Sequence, residues 1–167
     1  VNGSYYNTNL TPVGPLVTDG VLRSCSEENG WIPTLAMGAD GSVRISQPLF
    51  HLTLRLGDEM IPVDALNCKR WDGLTLYTDD FTSYRQTIAS GRGWNLYCVP
   101  DGPIPTKGEL KLTVDRVTET SGRAVLDPGM LVLSLAAKGS EAMPDWLAAL
   151  EAGDELTLQV DSTEGWE

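Results

Sequence analysis

The 167-residue chain carries 12 Lys+Arg against 23 Asp+Glu, a formal net charge of −11, with 41% hydrophobic and 21% charged residues. That balance belongs to a folded globular chain rather than a disordered one, and it lacks the basic footprint of nucleic-acid binding, so no nucleic-acid partner is expected. No apolar run approaches the roughly 20 residues of a membrane-spanning helix.

The elements read in chain order as a succession of hairpins. The opening VNGSYYN places Asn2-Gly3, a pair that tolerates positive φ, before two flat amphipathic tyrosines. LVTDGVLRS sets Asp19-Gly20 between apolar arms, and TLAMGADGSVRIS repeats the device at Asp40-Gly41. HLTLRLGDEMIPVDALN turns at Gly57-Asp58, its first arm alternating through Leu52, Leu54 and Leu56. GLTLYTDDF and GWNLYCVP read as strands, each introduced by a glycine. GELKLTVDRVTETSGRAVL predicts a further hairpin turning at Ser121-Gly122.

AMPDWLAALEAG predicts a helix over about 143–153. Pro144 and Asp145 suit its start, Gly153 its stop, and Trp146, Leu147 and Leu150 fall at helical spacing. ELTLQV follows as an alternating strand. The expected fold class is α+β: mostly antiparallel β hairpins with at least one packed helix, in a single domain or the N-terminal half of one over 1–167. The Asp-Gly pairs share no fixed period, which argues against a solenoid or propeller, and no loop has the carboxylate spacing of an EF-hand.

Few residues announce chemistry. His51, the one histidine, starts a strand on the face opposite Leu52, with no serine elbow or cysteine motif beside it. Asp79-Asp80 are adjacent, so in a strand they would point to opposite faces; a solvated loop pair is the plainer reading. Asn67 and Arg70, in ALNCKRWDG, lie between strands, where an arginine fork suits carboxylate or phosphate and an amide both donates and accepts. Turn capping and a surface cation are the plainer reading of the residues alone. GxGxxG and GxxxxGK[ST] are absent, so no nucleotide cradle is supported. Cys25, Cys68 and Cys98 lie far apart without a CxxC pair, which disfavours structural zinc; three buried thiols are expected over one disulfide plus a thiol. No metal and no cofactor is implied.

The order of segments is more informative than any one of them. NGSYYN, PVGPLVTDGVLRS, TLAMGADGSVRIS, DALNCKRWDGLTLYTDDF, then VLDPGMLVLSLAAKG and WLAALEAGDELTLQV, succeed one another in a pattern that resembles the phosphodiester glycosidase family, the domain shared with the enzyme that uncovers mannose 6-phosphate by removing N-acetylglucosamine. The resemblance implies that Asn2 and Gly3 line a cleft and that Asn67, Arg70, Tyr77 and Thr78 occupy matching positions of a substrate-binding site. It also implies an extracytoplasmic setting and a carbohydrate or sugar-phosphate ligand. The family's Arg-Thr segment and Asp-Gly-Gly-Gly-Ser stretch are missing, since the Asp-Gly pairs at 19, 40, 72 and 101 are each followed by another residue type. The expectation is therefore the N-terminal half of such a domain, inactive alone, its catalytic residues unknown, with exposed edges that favour homo-oligomers. The competing expectation is a non-catalytic glycan-binding or cell-surface interaction module using the five tryptophans, Trp31, Trp71, Trp94, Trp146 and Trp166.

Overall fold

The computed structural model of the chain describes residues 5–6, 12–26, 32–38, 40–68, 70, 72–81, 87–88, 92–120, 124–138 and 141–163. Asn2, Gly3, Trp31, Trp71 and Trp166 lie outside the described residues.

Short strands alternate with tight turns through the first half. β1 (Tyr5–Tyr6) pairs with β2 (Pro12–Val13), and β3 (Leu16–Thr18) with β4 (Val21–Ser26). Asp19 and Gly20 both take positive φ, 52° and 73°, the combination that a two-residue hairpin turn demands. β5 (Thr34–Met37) and β6 (Val43–Ser46) form a separate two-stranded sheet across the Asp40-Gly41 turn. There Asp40 accepts the Ser42 N–H at 2.9 Å, and hydrogen bonding from Ser42 lowers the Asp40 pKa. β7 (Phe50–Leu56) and β8 (Glu59–Val63) complete the third hairpin.

The remaining strands are β9 (Ala65–Leu66), β10 (Leu74–Tyr77), β11 (Thr87–Ile88), β12 (Gly93–Pro100), β13 (Gly108–Thr120), β14 (Ala124–Val125), β15 (Leu131–Ala136) and β16 (Glu155–Ser162). Ten strands form one sheet in the order β3-β4-β9-β10-β15-β12-β13-β16-β7-β8. Its described pairings are antiparallel except β9 with β10, which run parallel. Pro62 lies in β8 at the sheet's end, where a missing N–H disturbs no inner ladder. The sheet curls strongly. Leu22 of β4 donates to the Ile104 carbonyl, beyond β12, at 2.9 Å, and β8 lies against β10.

Two expectations are corrected. Ser121-Gly122, the expected hairpin turn, lies outside the described residues, and the strands on either side are paired elsewhere: β13 with β12 and β16, and β14 with β11. The fold is β-rich, with 57% strand, 6% helix and no helix of seven or more residues among the described residues, and is not α+β with a packed helix. The segment expected as helix 143–153 makes one turn, α1 (Asp145–Ala148). Its far end is captured by the sheet. Gly153 donates to the Val114 carbonyl and Val114 donates to the Asp154 carbonyl, each at 2.8 Å, while the Asp154 carboxylate accepts the Glu151 N–H at 2.8 Å. The apolar spacing still serves burial: Leu147 is buried, and Trp146 and Leu150 pack against the core from partial exposure.

The central strands bury both faces, unlike a sheet with one wet side. One face is leucine-rich: Leu74 and Leu76, Leu131 and Leu133, Trp94, Leu96 and Cys98 join one large core. The other carries Thr75 and Tyr77, Val132 and Ser134, Asn95 and Tyr97, all buried, with Tyr77, Tyr97, Leu126 and Val132 forming a smaller cluster. A bulge between Tyr97 and Cys98 leaves Asp115 as the extra residue on β13. Beside it, the Arg116 guanidinium stacks 3.8 Å from the Tyr97 ring centroid and donates to Asp127 at 2.9 Å. That hydrogen bond is the main reason the Arg116 pKa is raised.

Candidate functional site

The sheet brings Asn67 and Thr78 together because each follows the end of one strand of the parallel pair β9–β10. Asn67 takes φ 51°, a left-handed conformation that asparagine tolerates better than most residues. Its backbone N–H donates to the Leu76 carbonyl at 2.9 Å. Its side-chain amide is saturated with protein partners: Nδ2 donates to the Arg23 carbonyl at 2.7 Å and to Thr78 Oγ1 at 2.8 Å, and Oδ1 accepts the Thr78 N–H at 2.9 Å. Thr78 Oγ1 also accepts the Asp80 N–H at 3.2 Å. Asn67 and Thr78 are buried, so this clamp fixes where the chain turns.

Gly73, at φ +73°, introduces β10 for a steric reason as well. A Cβ there would lie 2.1 Å from Asp64 Oδ2, the atom that accepts the Leu74 N–H at 2.7 Å. Tyr77 lies under the turn, in edge contact with Phe81. Burial pushes its phenol up to about 12, partly offset by hydrogen bonds with the Thr75 side chain and the Arg70 backbone. Burial likewise raises the Cys68 thiol to about 11 and the Cys98 thiol to about 12. Cys25, Cys68 and Cys98 are buried and no disulfide joins them.

Charge collects around the rim of this turn. Arg23 donates from Nη1 to Asp80 Oδ2 at 2.7 Å and from Nε to Thr18 Oγ1 at 2.9 Å. Arg70, mostly buried, donates to Asp72 Oδ1 at 3.2 Å. Asp79 and Asp80 occupy a single 3-10 turn, Asp79–Phe81, and both are exposed; Asp79 accepts the Gly129 N–H at 3.2 Å. The two carboxylates thus serve different partners. His51 is exposed on β7 opposite Asp161 of β16, in a different part of the sheet order from the β9–β10 turn.

Of the sequence-nominated positions, Asn67, Arg70, Tyr77 and Thr78 converge on this turn, and Asn67 and Thr78 are spent holding it. Arg23 joins them unannounced, because β4 pairs with β9 over some forty residues of intervening chain, which no local motif reveals. Among the described residues no group of three or more His, Cys, Asp or Glu is arranged to hold a metal ion, and no helix is long and apolar enough to cross a membrane.

No family model and no curated protein matches the chain. Two solved structures share its fold. A hypothetical protein from Synechocystis superposes with TM-score 0.62 at 16% identity, covering 96% of this chain and 28% of that one. A Burkholderia pseudomallei K96243 chain described as "Putative exported protein" gives 0.65 at 22% identity, covering 97% of this chain and 37% of that one. At these identities the likeness is one of fold, and the chain spans well under half the length of either neighbour.

Proposed function

We propose that the chain forms one wall of the substrate site of a phosphodiester glycosidase-like hydrolase, working outside the cytoplasm on sugar-phosphodiester or related glycan linkages. The observation that supports this reading is the meeting of Asn67, Arg70, Tyr77 and Thr78 at one buried turn, with Arg23 and Arg70 on its rim. In this chemistry water attacks the anomeric carbon and the bond from that carbon to the phosphate oxygen breaks. The phosphate leaves with the bonding electrons, and the water's proton passes to a base. Arg70, in exchanging Asp72 for a phosphate oxygen, would stabilise the leaving group, while the Asn67–Thr78 clamp keeps the turn from yielding. The catalytic carboxylates are assigned to the longer protein rather than to this chain.

A chromogenic N-acetylglucosamine phosphodiester tests the reading on the 167-residue chain and on a longer chain of the same protein. Hydrolysis by the longer chain alone is expected, reduced about 100-fold by Arg70→Ala. No hydrolysis by either would sink it.

A second reading, a non-catalytic surface-interaction module, is favoured by the β5–β6 hairpin. Leu35 pairs with Ile45 and Met37 with Val43, so four exposed large apolar side chains share one face. Of the tryptophans among the described residues, neither adds to it: Trp94 is buried and Trp146 packs against the core. Light scattering on wild type and Ile45→Lys separates the readings, since loss of self-association in the variant would favour the module.

A further inference from the structure

We infer that the apolar face of the β5–β6 hairpin is a docking surface for the remainder of a longer polypeptide to which this fold belongs. Strand alternation is inverted there. Leu35, Met37, Val43 and Ile45 share one face and are 57%, 76%, 62% and 75% exposed. On the other face Thr34, Ala36 and Ser46 are partly covered, and Arg44 is exposed. A half-buried sheet normally turns its large apolar residues inward, so this hairpin presents outward the face that is made for burial. β5 and β6 also form a two-stranded sheet of their own, outside the ten-stranded one. Such a hairpin gains from a third strand or a covering layer. Its shape is set in advance: Gly38 donates to the Ser42 carbonyl at 2.9 Å and Gly41 to the Gly38 carbonyl at 3.0 Å. A Cβ at Gly38 would lie 2.6 Å from Asp40 Oδ1 and from Ser42 Oγ, so the turn is tightly closed.

Area and charge choose the occupant. Four side chains at these exposures offer on the order of 300 Å² of apolar surface, against roughly 800 Å² per partner in a stable complex. Two copies of a chain with net charge −11 also repel each other. A free second copy is therefore held poorly. A covalently continuous segment needs less surface, since its tether supplies an effective concentration of about millimolar. The fold has room for such a segment where it occurs elsewhere: it takes up 28% of the Synechocystis chain and 37% of the Burkholderia chain. The four outward side chains carry no charge, so what docks is an apolar strand or helix face that buries none. That a longer polypeptide exists rests on the reading above; the exposed apolar face does not.

Thiol labelling reads the face directly, because Cys25, Cys68 and Cys98 are buried and an Ile45→Cys thiol would be the accessible one. A maleimide is applied to Ile45→Cys, and to Lys111→Cys on β13 as the exposed control, in the 167-residue chain and in a longer chain of the same protein. Labelling at position 45 is expected to slow about tenfold or more in the longer chain, with position 111 changed less than about twofold. Ile45→Lys supplies a second readout. Its melting temperature should match wild type in the 167-residue chain and fall by about 5 °C in the longer one. Equal labelling of Ile45→Cys in the two chains, or Ile45→Lys leaving the longer chain's melting unchanged, overturns the inference. So does a 167-residue chain that sediments as a dimer at about 10 µM and becomes a monomer in Ile45→Lys, since the occupant is then a second copy. Protection at position 45 with no phosphodiester hydrolysis leaves the inference standing and removes the hydrolase reading; hydrolysis without protection does the reverse.

Discussion

Asn67 and Asn95 are the same side chain at nearly the same depth, 2% and 1% exposed, in opposite circumstances. Asn67 bonds Arg23 and Thr78 through every polar atom of its amide, whereas Asn95 bonds no described group. Burial therefore does not reveal what a polar residue is for; its partners do. The saturated amide belongs to the architecture. The unsatisfied one sits in a row of hydroxyls and bonds none of them.

The comparison can be broken by titration, and the largest effect is expected there. Cys68 and Tyr77, next to the Asn67 clamp, and Cys98, on the strand of Asn95, are held neutral by burial, with folded values of about 11, 12 and 12. Each lies above its ordinary value, so the stability from burying the neutral form is complete below about pH 9. It is lost as pH rises towards 11 and 12, because the unfolded chain releases these protons first. At about 1.4 kcal/mol per unit of separation, several kcal/mol should vanish across that window, enough for alkaline unfolding. Denaturant midpoints between pH 8 and pH 11 measure it, and a flat profile would mean that these groups are not buried as described.

The next effects separate the two regions. Gly93→Ala, two residues before Asn95, would place a Cβ 2.1 Å from the Leu135 carbonyl oxygen, where backbone must give way. A loss of about 3 kcal/mol in urea unfolding is expected. Asn67→Ala removes the clamp's side-chain bonds and leaves the Thr78 N–H without its acceptor, at a positive φ that alanine disfavours. About 2 kcal/mol should be lost, with Asn67→Gly recovering only the backbone share. The smallest change is the most diagnostic: Asn95→Leu should stay within about 1 kcal/mol of wild type or exceed it, since no protein hydrogen bond is forfeited. If Asn95→Leu cost as much as Asn67→Ala, the contrast between the two amides would be void.

Local chemistry was legible from the chain alone. Asp19-Gly20, Asp40-Gly41 and Gly57-Asp58 make the expected hairpin turns, because the positive φ at Asp19, Gly20, Gly41 and Gly57 suits the residues that stand there. The glycines introducing two strands were legible as markers, although their reasons, the Asp64 carboxylate against Gly73 and the Leu135 carbonyl against Gly93, lie elsewhere in the chain. The helix was overread. Its pattern of Trp146, Leu147 and Leu150 is equally served by one turn, and hydrogen bonds to Val114 claim the end that helical spacing would have used.

What the sequence by itself determined is a β-rich chain, its early hairpin turns, and which residues along most strands seek the core, because those depend on φ preference and alternation within a few residues. Tertiary structure alone decided that β13 pairs with β12 and β16 rather than β14, that Arg23 reaches the Asn67 turn, and that Thr75, Ser134, Asn95 and Thr118 align. A single Thr, Ser or Asn in a strand is unremarkable in its own segment. It becomes a polar row only when distant strands settle their registers side by side.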